Sequence, residues 1–481
     1  MHRRFSHLIG CTYLLARLCA STATGDVFQW QWVDPNDHSL GKEQSTILCP
    51  DGAGRIAQPD VLWSGLNLSR AYLYQADLTS AFFSSSNLNE AYLRQAVLDR
   101  LLVTGSDLRD ADFGGTTAVR GNLRGSNLDS ADFTGADLSS GTFQSCSLIN
   151  TRFTGANLND VSFFSGDVST VDFTDATING TSLRGPIGFS AAQLYSTASY
   201  KNRDLRRIQL GGRADYSGWN FSQMDLTGAR IESGTLTVAR FDGATLVNAV
   251  LQGDMTNADF TGVHANNAKM WGTLNNARLV GADFSRADFR NFSLTNANCL
   301  DTSFVNARLD NADLRGARDA DVSSASTQNT IRPDGRIDAL TSGTLFVRNY
   351  IGPTALPIRV RNGMSGAGVY TFFDADPWGS TISFDPGTPV VLNGSALVLG
   401  FADEIDVSGL VGRSYRLFDW SGVNIDTEFG LIFSNDNEPY VWDTSRLYTE
   451  GVVTFVAVPE VGCGTWSLIA IAIPSQWRRR M

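Results

Sequence analysis

Residues 126–160 read SNLDS ADFTG ADLSS GTFQS CSLIN TRFTG ANLND, seven phrases of five residues each. The third place of every phrase is large and apolar: Leu128, Phe133, Leu138, Phe143, Leu148, Phe153 and Leu158. The first place is small, as at Ala131, Ala136, Gly141 and Ala156. The remaining places carry mostly Asp, Asn, Ser, Thr, Arg and Gly. A period of five matches neither a helix at 3.6 nor a strand at 2. It requires a chain that turns a corner every five residues and sends one large and one small side chain inward from each side. Working outward, the frame holds over 63–183. From Leu68 to Leu183 only Ala118 breaks the series of larger apolar centres.

Four such sides close a square coil of 20 residues, and sorting the centres by 20 tests the square. One column reads Leu68, Leu88, Leu108, Leu128, Leu148; another reads Phe113, Phe133, Phe153, Phe173. Coils stacked about 4.8 Å apart place successive rings within the range for offset stacking. A 15-residue triangular coil would scatter those rings over different faces. Phe133 is therefore expected to be core. Its neighbour Asp132 points outward and is expected to matter little to stability.

The phrases Ala76-Asp77-Leu78, Ala111-Asp112-Phe113, Ala131-Asp132-Phe133, Ala136-Asp137-Leu138 and Ala156-Asn157-Leu158 resemble the pentapeptide-repeat family. That resemblance implies an all-β fold built on a right-handed quadrilateral parallel β-helix. A second run over 221–317 keeps the frame from Phe221 to Leu251, then takes four-residue steps to Met255 and from Met270 to Leu274. Those steps read as tightened corners. Between the runs, 184–220 is an insert. Ser190 is placed to cap a short helix through Ala191–Tyr195. Lys201, Arg203, Arg206, Arg207 and Arg213 gather there, and the favoured reading is a polar insert covering a coil end rather than a site for an acidic partner.

The flanks differ in kind. Residues 24–62, with Trp30 and Trp32 alternating with Gln, read as an N-terminal cap over the open coil edge. Residues 318–329 read as a linker. Residues 330–457 carry short β-type runs separated by Gly, Pro and Asp, which suggests a smaller antiparallel β-sandwich-like domain. Asp403-Glu404-Ile405-Asp406 lacks the spacing of a calcium loop and reads as a solvated acidic turn. Cys49, Cys146 and Cys299 read as small buried thiols.

The two termini read as signals. His2, Arg3 and Arg4 precede the mostly apolar Leu8–Ala20 and a small-residue site at Ser21-Thr22-Ala23, so 1–23 is expected to be an export leader. The end, 458–481, orders Val458-Pro459-Glu460, an apolar patch Trp466–Ile473, and Arg478-Arg479-Arg480. This order resembles the PEP-CTERM sorting signal of bacterial exported proteins, with Val461 in place of the second Pro. The resemblance implies recognition by an exosortase-like membrane peptidase, the help of export machinery and transient membrane association through the tail.

Charge narrows the function. The chain has a formal net charge of −11. Residues 61–320 hold 22 Lys and Arg against 26 Asp and Glu, whereas 321–457 hold 8 against 16. Nucleic acid is not an expected partner. His38 and His264 lie in separate segments, and no catalytic residue, cofactor or metal site is expected. The reading that results is a non-enzymatic, exported structural or binding protein of the bacterial surface, periplasm or extracellular matrix, with surface polysaccharide or other surface proteins as partners. Outward Tyr72 and Tyr92, and Phe82 and Leu102, form its candidate binding patch, unless the N-terminal cap covers them. The alternative implied by the family resemblance is a DNA mimic acting on a topoisomerase. A carbohydrate-active or calcium-dependent surface enzyme is the remote one.

Overall fold

The computed structural model describes residues 25–457 apart from 186, 213, 351–355, 374–377, 402–406, 426 and 435–439. The leader, the sorting motif at Val458, Pro459, Glu460, Arg478, Arg479 and Arg480, Arg213 and the acidic turn at 403–406 lie outside the described residues. The chain forms two compact units that meet between Asp334 and Gly335.

The first unit is a parallel β-solenoid, and one phrase shows how it closes. The Asp132 N–H donates back one coil to Ala111 O at 2.9 Å. Phe133 and Gly135 donate forward one coil to Arg152 O and Thr154 O at 2.8 and 2.9 Å. Ala136 donates to Phe133 O at 3.0 Å and closes a turn whose third residue, Gly135, has φ 67°. A positive φ at that place is the type II signature. The remaining N–H, on Thr134, is taken by the Asp132 side chain at 2.9 Å. All five donors of the phrase are thus satisfied, as buried or half-buried backbone requires.

Inside, the columns stack as the 20-residue sorting demands. Phe113–Phe133, Phe133–Phe153 and Phe153–Phe173 have ring centroids 4.5, 5.1 and 5.9 Å apart. Leu68, Leu88, Leu108, Leu128 and Leu148 are buried beside them.

The insert does not end the first run. Strands β1 (Phe28–Trp32) and β2 (Lys42–Leu48) form an antiparallel hairpin, and β3 (Leu62–Ser64), β4 (Phe82–Ser84) and β5 (Leu102–Thr104) form one parallel face. Further along, β6 (Ser182–Arg184), β7 (Gln209–Gly211), β8 (Arg230–Thr235), β9 (Val250–Asp254) and β10 (Lys269–Thr273) pair in that order, all parallel. The sheet crosses the insert, so both runs belong to one continuous solenoid. The expectation of a covered coil end is corrected: a helix pair, Ala191–Ser196 and Ala198–Lys201, stands in for one side of a lengthened coil. Ser190 caps it in a reciprocal box with Gln193. The tightened corners at Met255 and Leu274 are strands that run through the corner. They do so on Gly253 (φ 142°) and Gly272 (φ 119°).

The supposed linker is solenoid too. Arg308 bridges to Ser326 and Asp313 to Ile331, and Leu314 donates to Ile331 O at 2.8 Å. Residues 318–329 are therefore part of a last coil, where Ala320, Val322 and Ala325 pack on the core but the five-residue frame of large apolar centres is lost. At the other end, Tyr72 N–H donates to Phe28 O at 2.7 Å and Trp30 N–H to Arg70 O at 2.9 Å. Strand β1 thereby satisfies part of the first coil's open edge.

The second unit is all-β, but most of it is not an antiparallel sandwich. Strands β11 (Arg336–Ile337), β12 (Leu340–Thr341) and β13 (Thr344–Arg348) are followed by β14 (Ile358–Val360), β15 (Met364–Ser365) and β16 (Gly368–Phe373). Then come β17 (Ile382–Phe384), β18 (Val390–Val391), β19 (Ala396–Phe401), β20 (Ser414–Arg416), β21 (Phe418–Asp419), β22 (Leu431–Ser434), β23 (Tyr440–Asp443) and β24 (Val452–Ala457). They sort into three parallel faces, β11-β14-β17-β21, β12-β15-β18 and β13-β16-β19-β22. Ile358 pairs with Ile382, 24 residues on. This is a second, three-sided β-helix with larger coils. Among the described residues of this unit, only β20-β24-β23 pairs antiparallel.

Candidate functional site

The repeat's recurring carboxylates serve the backbone. Asp77, Asp107, Asp112, Asp132 and Asp137 each accept from the N–H two residues on, at 2.9–3.2 Å. Asn67, Asn87, Asn122 and Asn157 do the same. Hydrogen bonds from Thr79 hold the Asp77 carboxyl below its ordinary range, and one from the Arg109 side chain does so for Asp107. The outward position of these residues is as expected, but the expectation that Asp132 matters little to stability is corrected: each of these side chains closes a turn.

Charges are also matched between and within coils. Arg94 pairs with Asp112, Arg152 with Asp132 and Arg290 with Asp288, at 3.6, 3.2 and 2.6 Å. Three of the insert's cations follow the same rule. Lys201 meets Asp175 at 2.6 Å, Arg207 meets Asp160 at 3.1 Å, and Arg206 meets Asp204 at 2.6 Å. The bond from Arg206 brings the Asp204 carboxyl down to about 2. A less legible cluster lies on the sheet face, where half-buried Arg184 and exposed Arg230 flank the buried Glu232 at 2.5 Å each. Gly211 clears the way: a Cβ there would sit 3.2 Å from Arg184 Cγ.

The candidate patch divides. Tyr92 stacks on Tyr74 with centroids 5.8 Å apart and meets Tyr72 at a tilt, 5.7 Å away. The β1–β2 hairpin packs on that column. Lys42 Nζ lies 3.7 Å from the Trp30 ring and 5.2 Å from Tyr92, and Trp30 Nε1 donates to Glu90 O at 2.6 Å. Burial lowers the Lys42 pKa and raises those of both tyrosines. Phe82 and Leu102 stay half-exposed on another face. Register aligns them with Leu62, which is 75% exposed. The three make an apolar ridge one residue wide and three coils long.

Other candidates stay apart. His38 stacks on Trp32 at 4.0 Å, and His264 is exposed on a distant coil. Cys49, Cys146 and Cys299 are buried, and burial pushes their thiols up to about 11, 11 and 12. Among the described residues no group of His, Cys, Asp and Glu is arranged to hold a metal. None of their helices is long and apolar enough to cross a membrane. In the second unit a cleft of about 430 Å³ opens beside β22 and β23, lined by Leu399, Ile432, Phe433, Tyr440, Val441 and Trp442. Sequence reading missed it, because only pairing shows which strands end at an edge.

Comparison with known proteins matches residues 64–100, 106–144, 254–291 and 282–318 to the family model "Pentapeptide repeats". No curated protein matches the chain. Among solved structures, the chain is similar to HetL, a pentapeptide repeat protein involved in heterocyst differentiation regulation in the cyanobacterium Nostoc. The identity is 22%, over 58% of this chain and 91% of that one, with a TM-score of 0.22. It is similar to full-length QnrB1, a plasmid-mediated fluoroquinolone resistance protein, at 12% identity over 56% and 91%, with a TM-score of 0.16. A pentapeptide repeat protein of the Arabidopsis thaliana thylakoid lumen matches at 19% over 39% and 70%, with a TM-score of 0.09.

Proposed function

This chain carries pentapeptide repeats and builds them into a quadrilateral β-helix, and from that premise we propose that it is a non-enzymatic binding scaffold exported to the bacterial surface or extracellular matrix. The observation that carries the scaffold reading is the use of the repeat's carboxylates: they close turns and pair with arginines along the coils. Groups so engaged hold a rod in shape rather than converge on a reacting atom. The basic, apolar and small-residue order of 1–23 supports export. The order of Val458-Pro459-Glu460, Trp466–Ile473 and Arg478–Arg480 supports sorting by an exosortase-like peptidase. The ridge of Leu62, Phe82 and Leu102 is the surface offered to a polysaccharide or protein partner.

Cell fractionation with surface proteolysis of the full chain tests the proposal. Residence in the envelope or medium, with cleavage by added protease, is expected. Cytoplasmic residence would overturn it and favour a topoisomerase-directed DNA mimic. Against that second reading stands the regular pairing of the solenoid's carboxylates with arginine.

A further inference from the structure

The parallel face β6-β7-β8-β9-β10 presents two outward columns that run on into the next two coils. Register places Arg230, Val250, Lys269, Asp288 and Arg308 in one column. Two residues further along each strand, Arg184, Glu232, Gln252, Trp271, Arg290 and Asp310 follow the other. From β6 to the coil of Arg308 the face extends roughly 30 Å at about 4.8 Å per coil.

Trp271 is the odd member. Of the eight described tryptophans it alone is exposed, at 39%. Among the described residues it has no ring partner, and its indole N–H has no acceptor. Lys269, two residues before it on the same side of β10, is exposed and makes no ion pair. A flat ring with a free N–H and a free ammonium beside it can hold a ring-shaped ligand that bears a negative group.

The charges around this pair are layered. The Glu232 and Asp288 side chains are only 9 and 14% exposed, whereas the guanidiniums of Arg184, Arg230, Arg290 and Arg308 are between 42 and 51% exposed. Asp310 is held by Ser326 Oγ and by the Gln328 N–H. The two columns thus carry five cations against three carboxylates, and the cations are the outer layer, on a chain whose net charge is −11. An anionic ligand is the complement. Nucleic acid suits the face less well, because a phosphodiester offers only acceptors to Glu232, Asp288 and Gln252 Oε1. Sugar hydroxyls both donate and accept, and they match an interleaving of guanidinium, carboxylate and amide.

We infer that this face binds an acidic polysaccharide, with one uronate ring stacked on Trp271 and its carboxylate on Lys269, and with neighbouring sugars along the arginines. This deepens the binding-scaffold proposal: it names a ligand class and a face separate from the ridge of Leu62, Phe82 and Leu102.

Affinity electrophoresis of the purified full chain, in gels containing polygalacturonate, dextran or single-stranded DNA, tests the inference. Retardation by polygalacturonate, weakening as salt rises, is expected, with none by dextran. Trp271→Ala and Lys269→Gln should each weaken it by about tenfold or more, and Phe82→Ser on the ridge should leave it unchanged. Trp271→Ala carries the most weight, since attraction of a polyanion by charge alone would not need the ring. Circular dichroism checks that the variants keep their fold. No retardation, equal retardation by dextran, tighter binding of the DNA, or full binding by Trp271→Ala would overturn the inference. Loss of binding in Phe82→Ser alone would also overturn it, and would leave the scaffold proposal standing on the ridge. Export plays no part in the gel, so a failure of the localisation proposal is read separately.

Discussion

At the residue scale the fold depends on a few repeated conformational demands. Arg70, Gln75, Ser80, Glu90, Gln95 and Arg100 all sit at φ between 56 and 60°, a region that costs an L-residue roughly 1–2 kcal/mol. Asparagine takes many of these places in the second run, including Asn248, Asn257, Asn267, Asn276, Asn296 and Asn306. Its side chain tolerates the left-handed region best among non-glycines. The inward series was legible because burial leaves a hydrophobic signature. The Asp signature was legible as outward but not as a turn clamp, since nothing in a sequence marks the N–H two residues on as otherwise unpaired. Phe133→Ala should cost about 3–5 kcal/mol in urea unfolding. Asp132→Ala should cost about 1 kcal/mol, as for a lost helix cap, while Asp132→Asn should stay near wild type. Gly253→Ala and Gly272→Ala face a sharper limit. The new Cβ would lie 2.0 Å from the carbonyl oxygen of Gly234 or Gly253 one coil back. Each should lower stability by about 1–3 kcal/mol, whereas Gly135→Asn, with open space around it, should be nearly neutral. Thermal melts of the three glycine variants check the ranking.

At the element scale the unit is the coil, and the coil tolerates change in multiples of itself. Excising Leu128–Ser147 joins Asn127 to Leu148 and leaves every column in register. The shortened chain should keep its circular dichroism spectrum, and its melting temperature should fall by only a few degrees. Removing Leu128–Thr142 shifts all later sides by one face, breaks the Phe stack and should yield an unfolded or aggregated product. Acid provides a second test. The folded carboxyls of Asp107 and Asp204 lie below the unfolded value of about 3.9. Their contribution is present above that value and lost as pH falls through the folded range towards about 2. The urea midpoint should therefore decline between pH 4 and 2, less steeply in Asp204→Asn. The insert misled the sequence reading because its helix pair replaces one side while Leu205 and Leu210 keep their inward places. The second unit misled it for a different reason. Runs such as Thr344–Arg348 and Ala396–Phe401 alternate in the same way whether their neighbours run parallel or antiparallel.

At the scale of the whole molecule, deletion of 1–23 should strand the protein in the cytoplasm, and fractionation of the two forms decides it. Mass spectrometry of the mature C-terminus in a host with an exosortase should find the residues after Glu460 removed. An intact Arg478–Arg480 end on a surface-exposed chain would show that the tail is not processed. The square cross-section and its extent to 183 were open to reading because each phrase repeats one local problem. The route through the insert was not, since it depends on pairing between Leu183 and Leu210, 27 residues apart. That ladder also has a mechanical reading. Every inter-coil hydrogen bond, such as Phe133 N–H to Arg152 O, joins one coil to the next, so pulling along the stack loads the coils in series. Peeling a 20-residue coil releases about 70 Å of extended chain in place of a rise of about 4.8 Å. Under shear the rod would yield as a sequence of equal steps, each absorbing work while the remaining coils hold, and a force–extension trace would count them.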